Sequence, residues 1–242
     1  MTVLFFAFLG LIFGSFGSVL VMRLPVEEGI GGRSRCLHCG TVLRTLNLIP
    51  LLSYIVQRGR CTRCEARIAM LYPALEMCSA LIFILALMQA STMIEAFLEA
   101  FILWTLFLIA VVDTRTQTLP DSLNILLCAL GVLAVFHRGS IDLLAILVGV
   151  GFLGVQWLVS HGRWVGSGDV FLMLGLGLAM PSLMHIILTL FVAYIVGAIV
   201  ALILLITKKT SRTSHIAFGP FIVLGAFVAM VFGGRVMGIL VP

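Results

Sequence analysis

The sequence predicts an all-α polytopic membrane protein: about eight transmembrane helices and a small cytoplasmic zinc-binding segment. Three observations carry this. Hydrophobic residues make up 62% of the 242 and charged residues only 10%, where soluble domains carry roughly 25% charge. Several runs of about 18 to 20 residues hold almost no charge, the length that crosses a hydrocarbon core. Two C-x-x-C pairs lie in the one sizeable polar stretch that interrupts those runs.

The apolar runs fall at about 2–22, 71–90, 93–112, 121–137, 140–160, 169–182, 184–207 and 217–239. The first lacks a basic n-region and a small-x-small cleavage site, so it reads as a retained span rather than a secretory signal. The sixth is short, and Pro181 is expected to end it. The chain thus divides into a first helix (1–22), a polar segment (23–70) and a transmembrane core (71–242). Lys and Arg mark cytoplasmic loops. The 23–70 segment and the loops after the third, fifth and seventh runs hold every basic residue of the fifteen except Arg138 and Arg235. The segment is therefore expected on the cytoplasmic side, with both chain ends outside. The formal charge of +5 resides in these loops and reports orientation, not a nucleic-acid partner.

Within the polar segment, Cys36 and Cys39 (CLHC) and Cys61 and Cys64 (CTRC) are separated by 21 residues. Four thiolates on two knuckles can converge tetrahedrally on zinc and close its coordination. Disulfides or a redox pair are the competing reading, but a cytoplasmic loop is reducing and no thioredoxin-like βαβ pattern surrounds the cysteines. Gly40 after the first knuckle and Gly59 before the second suit tight turns. A segment of this size has too little core to fold alone, and a metal supplies what is missing. Cys78 and Cys128 lie inside apolar runs and read as small core residues.

Glu76, Asp113, Asp121 and Asp169 fall at the predicted cytoplasmic ends of spans. Asp121 follows a proline and precedes an apolar run, as a helix N-cap does. Asp169 has the same explanation open to it, with the helix dipole favouring its charge. Asp113 has none, since it ends an apolar helix whose C-terminal dipole disfavours an anion. Ionisable groups in spans usually face an interior cavity and carry function. Two carboxylates at one membrane depth can share a proton, one activating water while the other polarises a carbonyl. That is peptide-hydrolysis chemistry without a nucleophilic side chain. Gly166 and Gly168, in GSGD, would let an extended substrate lie along the backbone beside Asp169. A cap would keep Asp169 ionised and leave the proton on Asp113. Glu76 has no cap to make; an arginine of the cysteine segment or a basic substrate segment is a candidate partner for it.

The ordered blocks GSFGSV (14–19), RLP (23–25), RSRCLHCG (33–40), NLIPLLSY (47–54), GRCTRCEARI (59–68), YPALE (72–76), VVDTRTQTLPD (111–121), GSGD (166–169) and FGPF (218–221) resemble the type IV prepilin peptidases over nearly the whole chain. The resemblance implies an intramembrane aspartic protease of the G-x-G-D type, with Asp113 and Asp169 catalytic. It further implies cleavage of the short basic leader of prepilins or pseudopilins after a glycine, on the cytoplasmic side of the bacterial inner membrane. Methylation of the new N-terminus with S-adenosylmethionine is implied too, with membrane lipids and pilus or type II secretion assembly machinery as partners. Leu37, Ser18 and Phe171 stand where the family often has proline, asparagine and lysine. A transporter using its carboxylates as a proton relay fits the bare composition, but would place them nearer mid-membrane. An inactive assembly scaffold would have no use for both aspartates.

Overall fold

The computed structural model describes residues 1–207 and 217–240, with side chains up to residue 233. The chain packs as two compact units, Met1–Ala100 and Phe101–Pro242. Among the described residues the regular elements are helices, joined by two isolated β-bridges in the cysteine segment.

The first unit contains α1 (Thr2–Arg23), the short α2 (Leu52–Val56), α3 (Leu71–Gln89) and the start of α4 (Met93–Thr116). α1 lies along α3. Their backbones approach so closely that a Cβ on Gly14 would fall 2.5 Å from the Glu76 Cα. Phe6, Leu75 and Phe83 are buried in this contact, and Phe13 stacks on Phe83 at 5.8 Å. The opposite face of α1 exposes Leu4, Phe8, Ile12 and Phe16 at helical spacing. Water would penalise such a stripe by roughly 25 cal/mol per Å²; lipid does not.

The second unit holds the rest of α4, then α5 (Asp121–Arg138), α6 (Leu143–Ser160), α7 (Ser167–Ala179), α8 (Leu183–Ile206) and α9 (Gly219–Leu240). α7 packs on α5 and α6, and α8 on α9. Leu172, Met173 and Leu176 of α7 are fully buried, as they must be in a helix lodged among others. Met180 turns extended before Pro181, where the proline ring forbids a helical predecessor. The Arg138 guanidinium donates to the carbonyls of Leu178, Ala179 and Met180, satisfying the end of α7. Asp142 caps two helices at once, accepting from Ala145 N–H (3.0 Å) on α6 and Leu183 N–H (2.7 Å) on α8. The Ala145 and then the Leu183 amide hold its carboxyl below the usual range.

Every predicted apolar run is helical, but not every one is long enough to span. Among the described residues, six helices have the length and composition to cross a membrane. α7, at 13 residues, reaches only about 20 Å at ~1.5 Å per residue, short of a hydrocarbon core of about 30 Å. α9 is described with side chains only over Gly219–Gly233. Of the basic residues used for orientation, Lys208, Lys209 and Arg212 lie outside the described residues, as does the side chain of Arg235.

Candidate active site and metal centre

The aspartates come from two helix ends in the second unit. Asp113 sits one turn before the end of α4 and is 4% exposed; Asp169 is the third residue of α7 and is 7% exposed. Asp169 lies close enough to Asp113 to sense its charge. Asp169 closes the first turn of α7 with Gly166: the Gly166 N–H donates to its Oδ2 at 3.1 Å, and its own amide donates to the Gly166 carbonyl at 3.2 Å. The capping role expected for Asp169 is therefore present, but it is made from the third helical position back to the Gly166 backbone.

Asp113 also has a helix N-terminus, one the sequence did not offer it. Its carboxylate lies against the first residue of α9 and accepts from the Gly219 N–H. A Cβ at 219 would fall 2.6 Å from Asp113 Oδ2, so only glycine lets the backbone come this near. Each carboxylate thus has one amide donor.

Neither glycine of GSGD takes a left-handed backbone. Gly166 has an ordinary φ of −77°, and Gly168 is not among the residues with positive φ. What matters at Gly168 is close approach: a Cβ there would meet Leu119 Cβ at 2.9 Å. Leu119 also reaches Gly219, at 3.4 Å from the same hypothetical atom. The Asn124 amide donates to the Gly168 carbonyl at 3.4 Å. The loop before α5 therefore braces both helix starts. Asp121 is exposed and is the first residue of α5; Pro120 occupies the cap position, with no side-chain cap bond.

An aromatic group adjoins the pair. Tyr194 of α8 donates to Gln156 Oε1 at 2.8 Å and meets Phe152 and Phe218 edge-on at 5.6 and 5.1 Å. Tyr194 also senses the charge of Asp169. Nothing in the local pattern marked Tyr194, Gln156 or Leu119. FGPF, beginning at Phe218, was a quoted block without a chemical role.

The cysteines meet in the first unit. All four Sγ atoms lie within 4.8 Å of one another, and Cys36 and Cys64 are 3.8 Å apart. Sulfurs on a tetrahedral zinc at ~2.3 Å sit about 3.8 Å apart, whereas a disulfide needs about 2.05 Å. The cluster can hold a metal ion. The two knuckles share one geometry: Cys36 N–H donates to Thr41 and Cys61 N–H to Ala66, both at 2.9 Å. The Arg35–Val42 and Arg60–Arg67 bridges close them. The left-handed turn position is Gly40 in the first (φ 68°) and Glu65 in the second (φ 56°). Gly59 (φ 66°) leads from the turn after α2 into the second knuckle, and its carbonyl accepts from Ile68 N–H at 2.8 Å. The Thr41 hydroxyl, 3.3 Å from Cys39 Sγ, and the Thr41 amide hold the Cys39 thiol down at about 6. Glu76, also in this unit, does not pair with an arginine: its carboxylate accepts from Leu51 N–H at 2.7 Å and from the Ser15 hydroxyl.

Comparison with known proteins covers both units. Residues 8–90 match the bacterial peptidase A24 N-terminal domain, and residues 100–202 match the type IV leader peptidase family. A Burkholderia pseudomallei protein named prepilin leader peptidase/N-methyltransferase is 32% identical, over 93% of this chain and 84% of its own length. A Bacillus subtilis protein of the same name is 29% identical, over 94% of this chain and 93% of its own. The Pseudomonas putida protein of that name is also 29% identical, over 94% and 90%. No solved structure matches the chain. With both halves matched in order, the chain belongs to the type IV leader peptidase family.

Proposed function

We propose that this chain is a prepilin leader peptidase and N-methyltransferase in which Asp113 and Asp169 cut the leader. The observation that carries the reading is the meeting of two buried aspartates, each with a backbone amide donor, in a chain of this family. The pair holds one proton. The ionised carboxylate takes a proton from water as its oxygen attacks the scissile carbonyl carbon. The protonated carboxyl gives its proton to the carbonyl oxygen. Collapse of the tetrahedral intermediate breaks the C–N bond, and the leaving nitrogen takes up a proton from the dyad. The Gly166 and Gly219 amides fix the two carboxylates, and burial keeps bulk water from competing with the bound one. Gly166 and Gly168 are the backbone along which an extended substrate lies.

Three parts divide the work: the first helix (1–22), the metal segment (23–70) and the protease core (71–242). Cys36, Cys39, Cys61 and Cys64 hold a structural zinc, closed to water by its four thiolates. The substrates are prepilins or pseudopilins. Their apolar segment enters the bilayer while the basic leader stays cytoplasmic, so the bond is cut at the cytoplasmic face of the inner membrane. Arg115, in the last turn of α4, and Arg163, in the loop between α6 and α7, lie at the aspartate end of these helices, which supports that orientation. Pilus or type II secretion machinery receives the product. S-adenosylmethionine supplies an electrophilic methyl on a sulfonium, which the new terminal amine takes with loss of one proton, leaving a thioether. The test is incubation of a prepilin with membranes carrying the chain, read by mass spectrometry at the new N-terminus. Loss of the leader plus one methyl is expected; an uncut prepilin contradicts the reading.

A further inference from the structure

Two basic residues stand outside the cytoplasmic set, Arg138 and Arg235. Orientation therefore does not explain Arg138. It is the last residue of α5. Its guanidinium turns two nitrogens on three carbonyls of α7 and its C-cap: Nη1 donates to Ala179 at 2.5 Å, and Nη2 to Leu178 at 2.9 Å and Met180 at 3.1 Å. Its Nε is buried without a hydrogen-bond partner among the described residues. Drawing a guanidinium this far from water is costly, and the bonds to α7 are what offsets it.

α7 is the helix that needs an outside anchor. At 13 residues it does not span, so it lacks the interfacial residues at two surfaces that hold a transmembrane helix at its depth. Its packing is close but apolar. A Cβ on Gly175 would meet Leu127 of α5 at 2.8 Å, and one on Gly177 would meet Ile146 of α6 at 3.0 Å. Such van der Waals contacts hold helices together without a preferred direction along the axis. Hydrogen bonds have direction, and α5 supplies them at both ends of α7. Asn124 donates to the Gly168 carbonyl at the start, and Arg138 donates at the finish. Asn124 and Arg138 are 14 residues apart, and Gly168 and Ala179 are 11 apart. At ~1.5 Å per residue these are about 21 Å along α5 and about 17 Å along α7. Helical side chains lean toward the N-terminus of their own helix, so the long Arg138 side chain reaches back over the difference. α5 thus acts as a ruler against which α7 is set.

Asp169 is the third residue of α7. A hydrogen-bonded helix moves along its axis as a rod, so slippage at the Arg138 end is slippage at Asp169. We propose that Arg138 is a positioning residue of the peptidase: bonded only to the far end of α7, it sets the depth at which Asp169 meets Asp113. The proposal rests on the reading of the aspartate pair as the site of leader cleavage.

The full-length chain in detergent, loaded with zinc, would be assayed for cleavage of a purified prepilin as wild type, Arg138→Lys and Arg138→Met. Methionine keeps an apolar stem and donates nothing; lysine donates, but from one nitrogen in place of a planar fork. Arg138→Met is expected to lower kcat per folded molecule by about 10²-fold, the effect of a misplacement near 1 Å. Its KM is expected to stay within about 2-fold of wild type, because the contacts that bind substrate are untouched. Arg138→Lys is expected to recover about 10-fold of that loss, since it restores a charged donor to the carbonyls. Zinc content, monodispersity and the amount in membranes give the folded fraction. A residue that only caps α7 would lower the folded fraction and leave kcat of the folded protein unchanged, and that result overturns the proposal. So does a lysine variant no faster than the methionine variant, or a rise in KM with kcat kept. Loss of folded protein in both variants would place Arg138 in the fold alone and overturn it as well. A prepilin left uncut by wild type is a different failure: it sinks the peptidase reading, and this role with it.

Discussion

At the scale of single residues, the site depends on backbone brought close to carboxylates. Gly219 is the sharpest case, because any side chain there meets Asp113 Oδ2 at 2.6 Å. Gly219→Ala is expected to slow leader cleavage by about 10²-fold, the cost of a misplacement near 1 Å, with zinc content unchanged. Cleavage at the wild-type rate would show that Asp113 does not work from this position. The contact spans 106 residues of sequence, from 113 to 219, which is why local pattern could not reveal it. Asp113 read as a carboxylate without a helix N-terminus for the same reason: its N-terminus belongs to α9. Asp169 was more legible, since its partner Gly166 is three residues away. Asp142 offers a pH test. Its carboxyl is lowered by the Ala145 and Leu183 amides, so its stabilisation is full above the unfolded value of about 4 and is lost as pH falls through the lower folded value. Asp142→Asn is expected to lower the melting temperature at neutral pH. It should also flatten the acid limb of a thermal-stability profile; an unchanged profile would contradict the double cap.

At the scale of elements, spacing served where the chemistry is local. The cysteine pairs and their metal-binding convergence were readable because each knuckle is one turn, and two such turns have few ways to present four sulfurs. Gly59 precedes the second knuckle in a left-handed conformation, as a tight turn wants, and Glu65 takes the same conformation within it. Metal analysis is expected to find about one zinc per chain, with Cys61→Ser losing it; metal-free wild type with oxidised cysteines would contradict the site. Glu65→Gly should retain zinc, since it relieves a backbone strain of ~1 kcal/mol. The α1–α3 contact makes a second demand. Gly14→Val would force a side chain into the α3 backbone at 2.5 Å and is expected to cost about 1–3 kcal/mol, read as loss of the folded protein in detergent. α7 was counted as a span because its run is apolar. Its burial explains that composition equally well: a helix surrounded by protein needs no polar face, whatever its length.

At the scale of the whole molecule, composition and the placement of basic residues made the membrane class and the count of apolar helices legible. They could not separate helices that cross a bilayer from one lodged inside the second unit. Family membership rests on both units, and the aspartates fall in the second alone. The account's central claim is that this pair hydrolyses the leader bond. The most direct measurement is mass spectrometry of a prepilin incubated with membranes holding wild type, Asp113→Asn or Asp169→Asn, each present in equal amount. Wild type should remove the leader after a glycine, and either variant should lose at least ~10³-fold in rate. Cleavage by either variant at the wild-type rate would contradict the account.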